Sequence, residues 1–498
     1  MTAAVSSPAP TEPAVAPASL PSSEPPDLAA LLREMQLAQR KAGPPAYEER
    51  IRHLTRLEET LLRRKDEIAL AIQKDYGARS LHESLIADVW ITVQGIRYVR
   101  EHLREWMDPE ERSVSWAFLP GRAEVRYQPL GVVGIIAPWN YPVQLALAPL
   151  AGALAAGNRA IVKPSELVPL TCEALRSLVA EIFDEHHVAV VTGGSDVGEA
   201  LTRLPFDHLV FTGSTRVGRA VMRAAAENLT PLTLELGGKS PVVVDPTCSV
   251  ASAAKVIVSG KLFNAGQTCI APDYVFVHET KKDELVKSLE SAIAHCYPTL
   301  AKNPQYTSVI NAVHHARLVS TIDDARSKGA TIIEVNPAKE TFDPETHKLV
   351  PTLVLGATEE MVVMQEEIFG PVLPILTYKS IDDVIAYVNE HPRPLALYYL
   401  GHDEACREEV LARTVSGGVS VNATMLHVAQ DDLPFGGVGA SGMGAYHARE
   451  GFETFSRKKP VFHQSRINSS GIVMPPFGRA ADLFLRFVLG KSKREAQP

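Results

Sequence analysis

Three residues of this 498-residue sequence are of types that could share one reaction: a cysteine, an acid and an amide. Cys269 ends the polar, glycine-containing turn FNAGQTC, in which Asn264, Gly266, Gln267 and Thr268 argue against a purely apolar niche. A thiol there becomes a nucleophile if local donors stabilise its thiolate. Glu235 lies in LELGGKS between Leu234 and Leu236, where burial would raise its pKa toward that of a general base. Asn140, in APWNYP, carries an amide able to stabilise an oxygen that turns negative after nucleophilic addition. Each has a plainer reading: a cysteine as a small core hydrophobe, an acid in a structural pair, an asparagine capping a turn.

A second group of residues suits a dinucleotide. FTGSTRVG places Gly213, Ser214 and Gly218 between the strand signal LVF and a helix signal, where phosphate can approach backbone N–H groups at the helix N-terminus. Taken alone, such a glycine-rich turn is weak. In VKPSE, Lys163 and Glu166 can hydrogen-bond ribose hydroxyls or form an ordinary surface pair.

The elements that must hold these residues alternate in kind. Helices are expected from Asp27, a cap, through Met35, from about Pro45 to Asp75, and over Val143–Ala156. Strand signals at 160–163, 188–191, 209–211 and 233–236 alternate with helical stretches, and a second such series follows from 241 to 400. This predicts two parallel α/β domains joined near residues 235–240. The halves show no fixed-period repeat and are similar only in architecture.

Composition narrows the functional classes. With 45% apolar residues the chain can bury a large core, and 58 acidic against 50 basic residues, interspersed, give no reason to expect nucleic acid. Five cysteines, at 172, 248, 269, 296 and 406, form no CxxC pair and no metal-ligand spacing, so we expect reduced thiols, a cytoplasmic setting and no metal. Residues 1–26, with seven prolines and no basic residue, read as a disordered extension rather than a secretory signal. No apolar stretch approaches the roughly 20 residues of a membrane span; ADLFLRFVLG near the end is too short, and reads as a cover for the body or a shallow membrane contact.

Seven motifs in order, PWN, KPSE, FTGSTRVG, LELGGKSP, FNAGQTC, EEIFGPV and LPFGGVGASGMG, resemble the aldehyde dehydrogenase superfamily over nearly all of residues 27–475. YHAREGFETFS is similar to its class-3-like branch of coniferyl and fatty aldehyde dehydrogenases. The resemblance implies an α/β fold with a Rossmann-like cofactor domain (27–112 and 130–236), an α/β catalytic domain (237–430) and a β oligomerisation arm (113–129 and 453–475), followed by a tail (476–498). It makes Cys269 the nucleophile, Glu235 the base and Asn140 the oxyanion amide, and it assigns cofactor contacts to Trp139, Lys163, Glu166, Gly213, Ser214, Gly218, Glu367 and Phe369. Tyr141, Leu145 and Phe435 are implied to face the substrate. The implied reaction oxidises an aromatic (coniferyl-like) or medium- to long-chain aldehyde to the acid with NAD, or NADP, as hydride acceptor. The implied assembly is a homodimer, with 113–129 and 453–464 pairing across subunits. Two rivals stand beside it: a CoA-acylating relative, against which the retained Glu235 argues, and a nucleotide-binding protein without activity.

Overall fold

The computed structural model describes residues 27–468, 470–472 and 474–490; the expected extension 1–26 and the end of the tail lie outside them. Two short strands come first, β1 (Glu110–Arg112) and β2 (Arg122–Pro129). The chain then builds a sheet from β3 (Val132–Ile136), β4 (Arg159–Lys163), β5 (Val188–Val190), β6 (His208–Gly213) and β7 (Leu232–Leu236). A second sheet takes β8 (Ser240–Val244), β9 (Pro272–His278), β10 (Thr331–Glu334), β11 (Thr352–Leu355), β12 (Val372–Tyr378), β13 (Ala396–Leu400) and β14 (Gly418–Val421). Last come β15 (Gly442–Met443), which returns to the first sheet, and β16 (Ser456–His463).

The first sheet runs β15-β7-β6-β3-β4-β5 and the second β10-β11-β12-β9-β8-β13-β14. Each contains the same doubly wound core, with the founding strand, β3 or β8, in the middle and the winding reversing beside it. Pairing is parallel except at β15–β7 and β10–β11. Ligands of such sheets bind beyond the carboxyl ends of the strands that flank the reversal. In the first sheet those strands are β3, which runs into Trp139 and Asn140, and β6, which runs into Ser214.

Both faces of the first sheet are covered, so β3 and β4 read as continuous apolar runs; Val133 and Ala160 are fully buried. Helix Gln144–Ala156 is buried on nearly every side, which its many alanines and Gly152 permit by letting neighbours approach closely. That accounts for an apolar stretch with no amphipathic stripe. Asp27 caps helix Leu28–Ala42 by accepting from the Ala30 N–H at 2.9 Å. No described helix is long and apolar enough to cross a membrane.

Within one chain, the two extended segments of the arm pair with each other. β16 runs antiparallel to β2 from Ser456↔Pro129 to His463↔Arg122, and β1 completes a three-stranded arm within one chain. The first residues of the expected second arm segment are helical, in Ala448–Thr454. Alternation over residues 122–128 makes that strand legible, but nothing in the pattern tells whether its partner lies in the same chain.

Candidate active site

Cys269 owes its position to a strained turn. Helix Val250–Leu262 is followed by three consecutive left-handed residues, Asn264 (φ 51°), Ala265 (φ 51°) and Gly266 (φ 77°). Ala265 has no polar side chain to bond locally and offset this conformation, which costs roughly 1–2 kcal/mol. At Gly266 a Cβ would lie 2.4 Å from the Gly370 carbonyl oxygen, so the close approach excludes a side chain. Buried amides hold the turn: Asn264 Nδ2 donates to Gln267 O (3.1 Å), and Gln267 Nε2 donates to Asn264 O and Ser308 O (both 3.0 Å). Gln267 Oε1 in turn accepts from the Ile310 N–H at 2.9 Å. The chain leaves this knot with Cys269 half-buried at the wall of a cavity.

Glu235 reaches the same cavity from the penultimate position of β7 and is only 2% exposed. Its Oε1 lies 3.5 Å from Cys269 Sγ, with the thiol as donor. Its Oε2 accepts from Tyr446 Oη (2.8 Å) and Thr212 Oγ1 (3.2 Å). Burial raises the Glu235 pKa, and the hydrogen bonds from Tyr446, Cys269 and Thr212 oppose the rise. Burial, then the charges of Glu235 and Glu367, push the Cys269 thiol up as well. Burial thus favours the protonated thiol, and the 3.5 Å approach places its proton within reach of Glu235 Oε1.

The loop after β3 comes next to this pair. Asn140 is 3% exposed, and its backbone carbonyl accepts from Arg79 Nη1 (2.8 Å), Asn264 Nδ2 (3.2 Å) and Tyr76 Oη (3.2 Å). The Tyr141 hydroxyl and Thr268 Oγ1 are 2.6 Å apart, which ties the loop to the residue before Cys269.

The residues expected to meet a dinucleotide fall into four places. Trp139 packs edge-on to Phe369, ring centroids 5.4 Å apart, and Phe369 itself holds φ 51°. Lys163 ends β4, 3% exposed, and pairs with the more exposed Glu166 at 3.1 Å, so the surface-pair reading fails for the lysine. Ser214 caps the 12-residue helix Thr215–Ala226, accepting from the Val217 N–H at 3.4 Å. Gly213 ends β6, and Gly218 lies so close to Leu236 that a Cβ would come within 2.6 Å. Glu367 sits against Gly237, where a Cβ would lie 2.0 Å from its Oε2, while its Oε1 is buried with no protein partner. Burial, then the charge of Asp273, raises the Glu367 pKa to about 8. An orphaned carboxyl oxygen, a capped helix N-terminus and glycines that cannot carry a side chain fit a dinucleotide with ribose hydroxyls and a pyrophosphate.

Tyr141, Leu145 and Phe435 line one cavity of about 240 Å³ with Cys269 and Glu235. Three further wall residues, Trp90, Phe263 and Met425, were not singled out in the sequence, and neither were Tyr446 and Thr212 behind Glu235. Tyr446 opens the quoted segment YHAREGFETFS, and Thr212 sits inside FTGSTRVG, so both lay within motifs without being read as chemistry. Among the described residues no His, Cys, Asp and Glu grouping could hold a metal ion.

The sequence model of the aldehyde dehydrogenase family matches residues 2–461. The chain belongs to that family. It is 48% identical over 465 residues to the coniferyl aldehyde dehydrogenase of Pseudomonas sp., covering 93% of this chain and 96% of that one. It is 40% identical over 426 residues to the 4,4'-diaponeurosporen-aldehyde dehydrogenase of Staphylococcus aureus (85% and 91% covered). Among solved structures it is similar to the substrate-bound state of Staphylococcus aureus AldH, with TM-score 0.87, 37% identity and 92% and 99% of the two chains covered. The protein is thus an NAD(P)-dependent aldehyde dehydrogenase of the class-3-like branch close to the coniferyl aldehyde dehydrogenases. Its fold is that of the family, a Rossmann NAD(P)-binding domain with α/β catalytic and β oligomerisation regions.

Proposed function

We propose that this aldehyde dehydrogenase oxidises aromatic, coniferyl-like or medium- to long-chain aldehydes to free carboxylic acids, with Cys269 as nucleophile, Glu235 as base and Asn140 as oxyanion donor. The observation that carries this reading is the 3.5 Å approach of Cys269 Sγ to Glu235 Oε1 on a largely apolar cavity. The names of the relatives support an aromatic substrate, and the Phe263, Tyr141 and Trp90 side chains lining the cavity suit a flat ring.

In this mechanism Glu235 takes the thiol proton and Cys269 Sγ bonds to the carbonyl carbon. The oxygen gains the π electrons and meets the Asn140 amide and the Cys269 backbone N–H. Trp139, Lys163, Glu166, Ser214, Glu367 and Phe369 would hold the dinucleotide, whose chemistry when bound is to accept a hydride from the substrate carbon. The acyl group then stands as a thioester on Cys269. Glu235 passes that first proton to solvent and then removes a proton from the attacking water; the C–S bond breaks, Glu235 returns this proton to the departing sulfur, and the acid leaves as carboxylate with its proton lost to solvent. The Glu166 carboxylate favours the free ribose hydroxyls of NAD over the phosphate of NADP. Trp116, Phe118 and Phe462, exposed on the three-stranded arm, support a homodimer.

The test is a panel of aldehydes with NAD or NADP and no CoA, read for reduced cofactor and for acid. Equal amounts of both from an aromatic enal are expected; strict dependence on CoA overturns the hydrolytic reading. Cys269→Ala should abolish turnover while binding NAD and melting normally, and normal turnover in that variant excludes the assigned nucleophile.

A further inference from the structure

A buried ion pair lies beneath the Asn140 loop, outside every motif described above. Arg79 and Asp88 are both 0% exposed, and Arg79 Nη2 donates to Asp88 Oδ2 at 3.1 Å. Two charges taken wholly out of water seldom stabilise a protein more than an apolar pair of the same size, so such a pair calls for a geometric reason.

The hydrogen bonds supply one. The second arm of the Arg79 fork, Nη1, donates to the Asn140 carbonyl at 2.8 Å. The other oxygen of Asp88, Oδ1, accepts from the backbone N–H groups of Val143 (3.0 Å) and Gln144 (3.3 Å), where the next helix begins. The pair therefore grips the loop on both sides of Asn140 and Tyr141. Its guanidinium carbon lies 4.9 Å from the Tyr76 ring centroid and 5.1 Å from that of Tyr141, which fixes the plane of the fork. Asp88 itself sits in the π-helical turn Leu85–Trp90, whose Ile86, Ala87 and Trp90 line the substrate cavity. Such turns occur mostly at functional sites. Arg79 Nε is left buried with no partner, so the fork is aligned on the loop rather than arranged to satisfy every donor.

The hydrogen bonds from the pair to the loop are all made with its backbone. Among the described residues no protein group hydrogen-bonds the Asn140 side-chain amide, which stays available for a ligand oxygen. We infer that Arg79, clamped by Asp88, is a positioning residue that aims the Asn140 amide at the oxyanion and so sets the rate of attack by Cys269. This rests on the oxyanion role proposed for Asn140. Lysine keeps the charge but cannot make two directed bonds from one rigid plane.

The experiment is a double-mutant cycle of Arg79→Lys with Asn140→Ala, read as kcat/KM, as the rate of the first turnover, and as NAD affinity and Tm. Asn140→Ala leaves the backbone carbonyl that Arg79 grips, so the cycle isolates the side-chain amide. Arg79→Lys is expected to lower kcat/KM and the first-turnover rate by roughly 10- to 100-fold, the scale of an ångström-level misplacement. NAD affinity should hold, and in the Asn140→Ala background the same substitution should cost nothing further. An equal loss in both backgrounds, or a fall in Tm with the first turnover intact, overturns the inference. Should the lysine variant fail to fold, the charge-balanced pair Arg79→Met with Asp88→Leu carries the same cycle, with the same two outcomes. If Asn140→Ala alone leaves the rate unchanged, the oxyanion reading fails first and the inference falls with it.

Discussion

The back of the cavity and its outer wall are built by opposite means. Behind Cys269 and Glu235, buried side chains are held by directed hydrogen bonds: Asn264 and Gln267 knot the turn, Tyr446 and Thr212 hold the carboxylate, and Tyr141 meets Thr268. Toward solvent the lining is Ile86, Trp90, Ile91, Phe263, Met425 and Leu426, which offer area without direction. Directed bonds fix positions to a fraction of an ångström, whereas apolar contact fixes only size and shape. The contrast assigns reaction geometry to the back of the cavity and the choice of aldehyde to the wall. Each can then be perturbed separately.

The largest effect should come from the carboxylate itself. Glu235→Gln keeps the shape and can still accept from Tyr446 and Thr212, but it loses the base. On the proposed roles the steady-state rate should fall by about 10²–10⁴-fold, the usual contribution of a general base. The first turnover should slow too, because Cys269 loses its proton acceptor, and it should release no more than about one equivalent of NADH as the acyl-enzyme accumulates. Rapid-mixing absorbance at the NADH band checks this, and normal steady-state turnover would break the contrast at its strongest point.

How far this division was visible beforehand depends on the kind of contact. The alternation of strands and helices follows from local apolar pattern, the Rossmann-like winding was implied only by the family resemblance, and Cys269, Glu235 and Asn140 each stand near the end of a legible strand or helix. Tyr141, Leu145 and Phe435 were likewise placed on the cavity that holds the cysteine. Tyr446 escaped because its partner lies 211 residues away, a distance that no periodicity spans. Arg79 and Asp88 escaped for a different reason: a charged residue in a loop between helices and one on the helical turn that follows read as surface, and only tertiary burial makes them otherwise. The succession of left-handed residues at Asn264 and Ala265 had no signal beyond one glycine, since alanine ordinarily avoids that region.

Tyr446→Phe probes the hold on the carboxylate more gently. Its hydrogen bond favours the ionised form and so lowers the Glu235 pKa against the effect of burial. Removing the hydroxyl leaves Glu235 protonated up to a higher pH, so the acidic limb of the kcat profile should move toward alkaline pH. At a pH on that limb the rate should fall by about tenfold, equivalent to the ~1.5 kcal/mol of a hydrogen bond to a charged group. Well above the limb much of the loss should be recovered. An unshifted limb with a uniform loss would mean that Tyr446 supports the fold and not the ionisation of Glu235.

The smallest effect belongs to the wall, and it tests the contrast from the other side. Trp90 is 53% exposed and lines the cavity, so Trp90→Ala removes contact area without emptying the core. Tm should barely change. For an aromatic aldehyde KM should rise by roughly three- to tenfold, the 0.5–1.5 kcal/mol of a lost aromatic contact. For acetaldehyde, too short to reach the ring, KM should stay the same, and kcat should hold for both because no bond at the back of the cavity is touched. Steady-state kinetics with the two substrates decide the matter. A fall in kcat for acetaldehyde would show that the π-helical turn carrying Trp90 transmits its packing to the Asn140 loop through Asp88, and wall and back would then be one device.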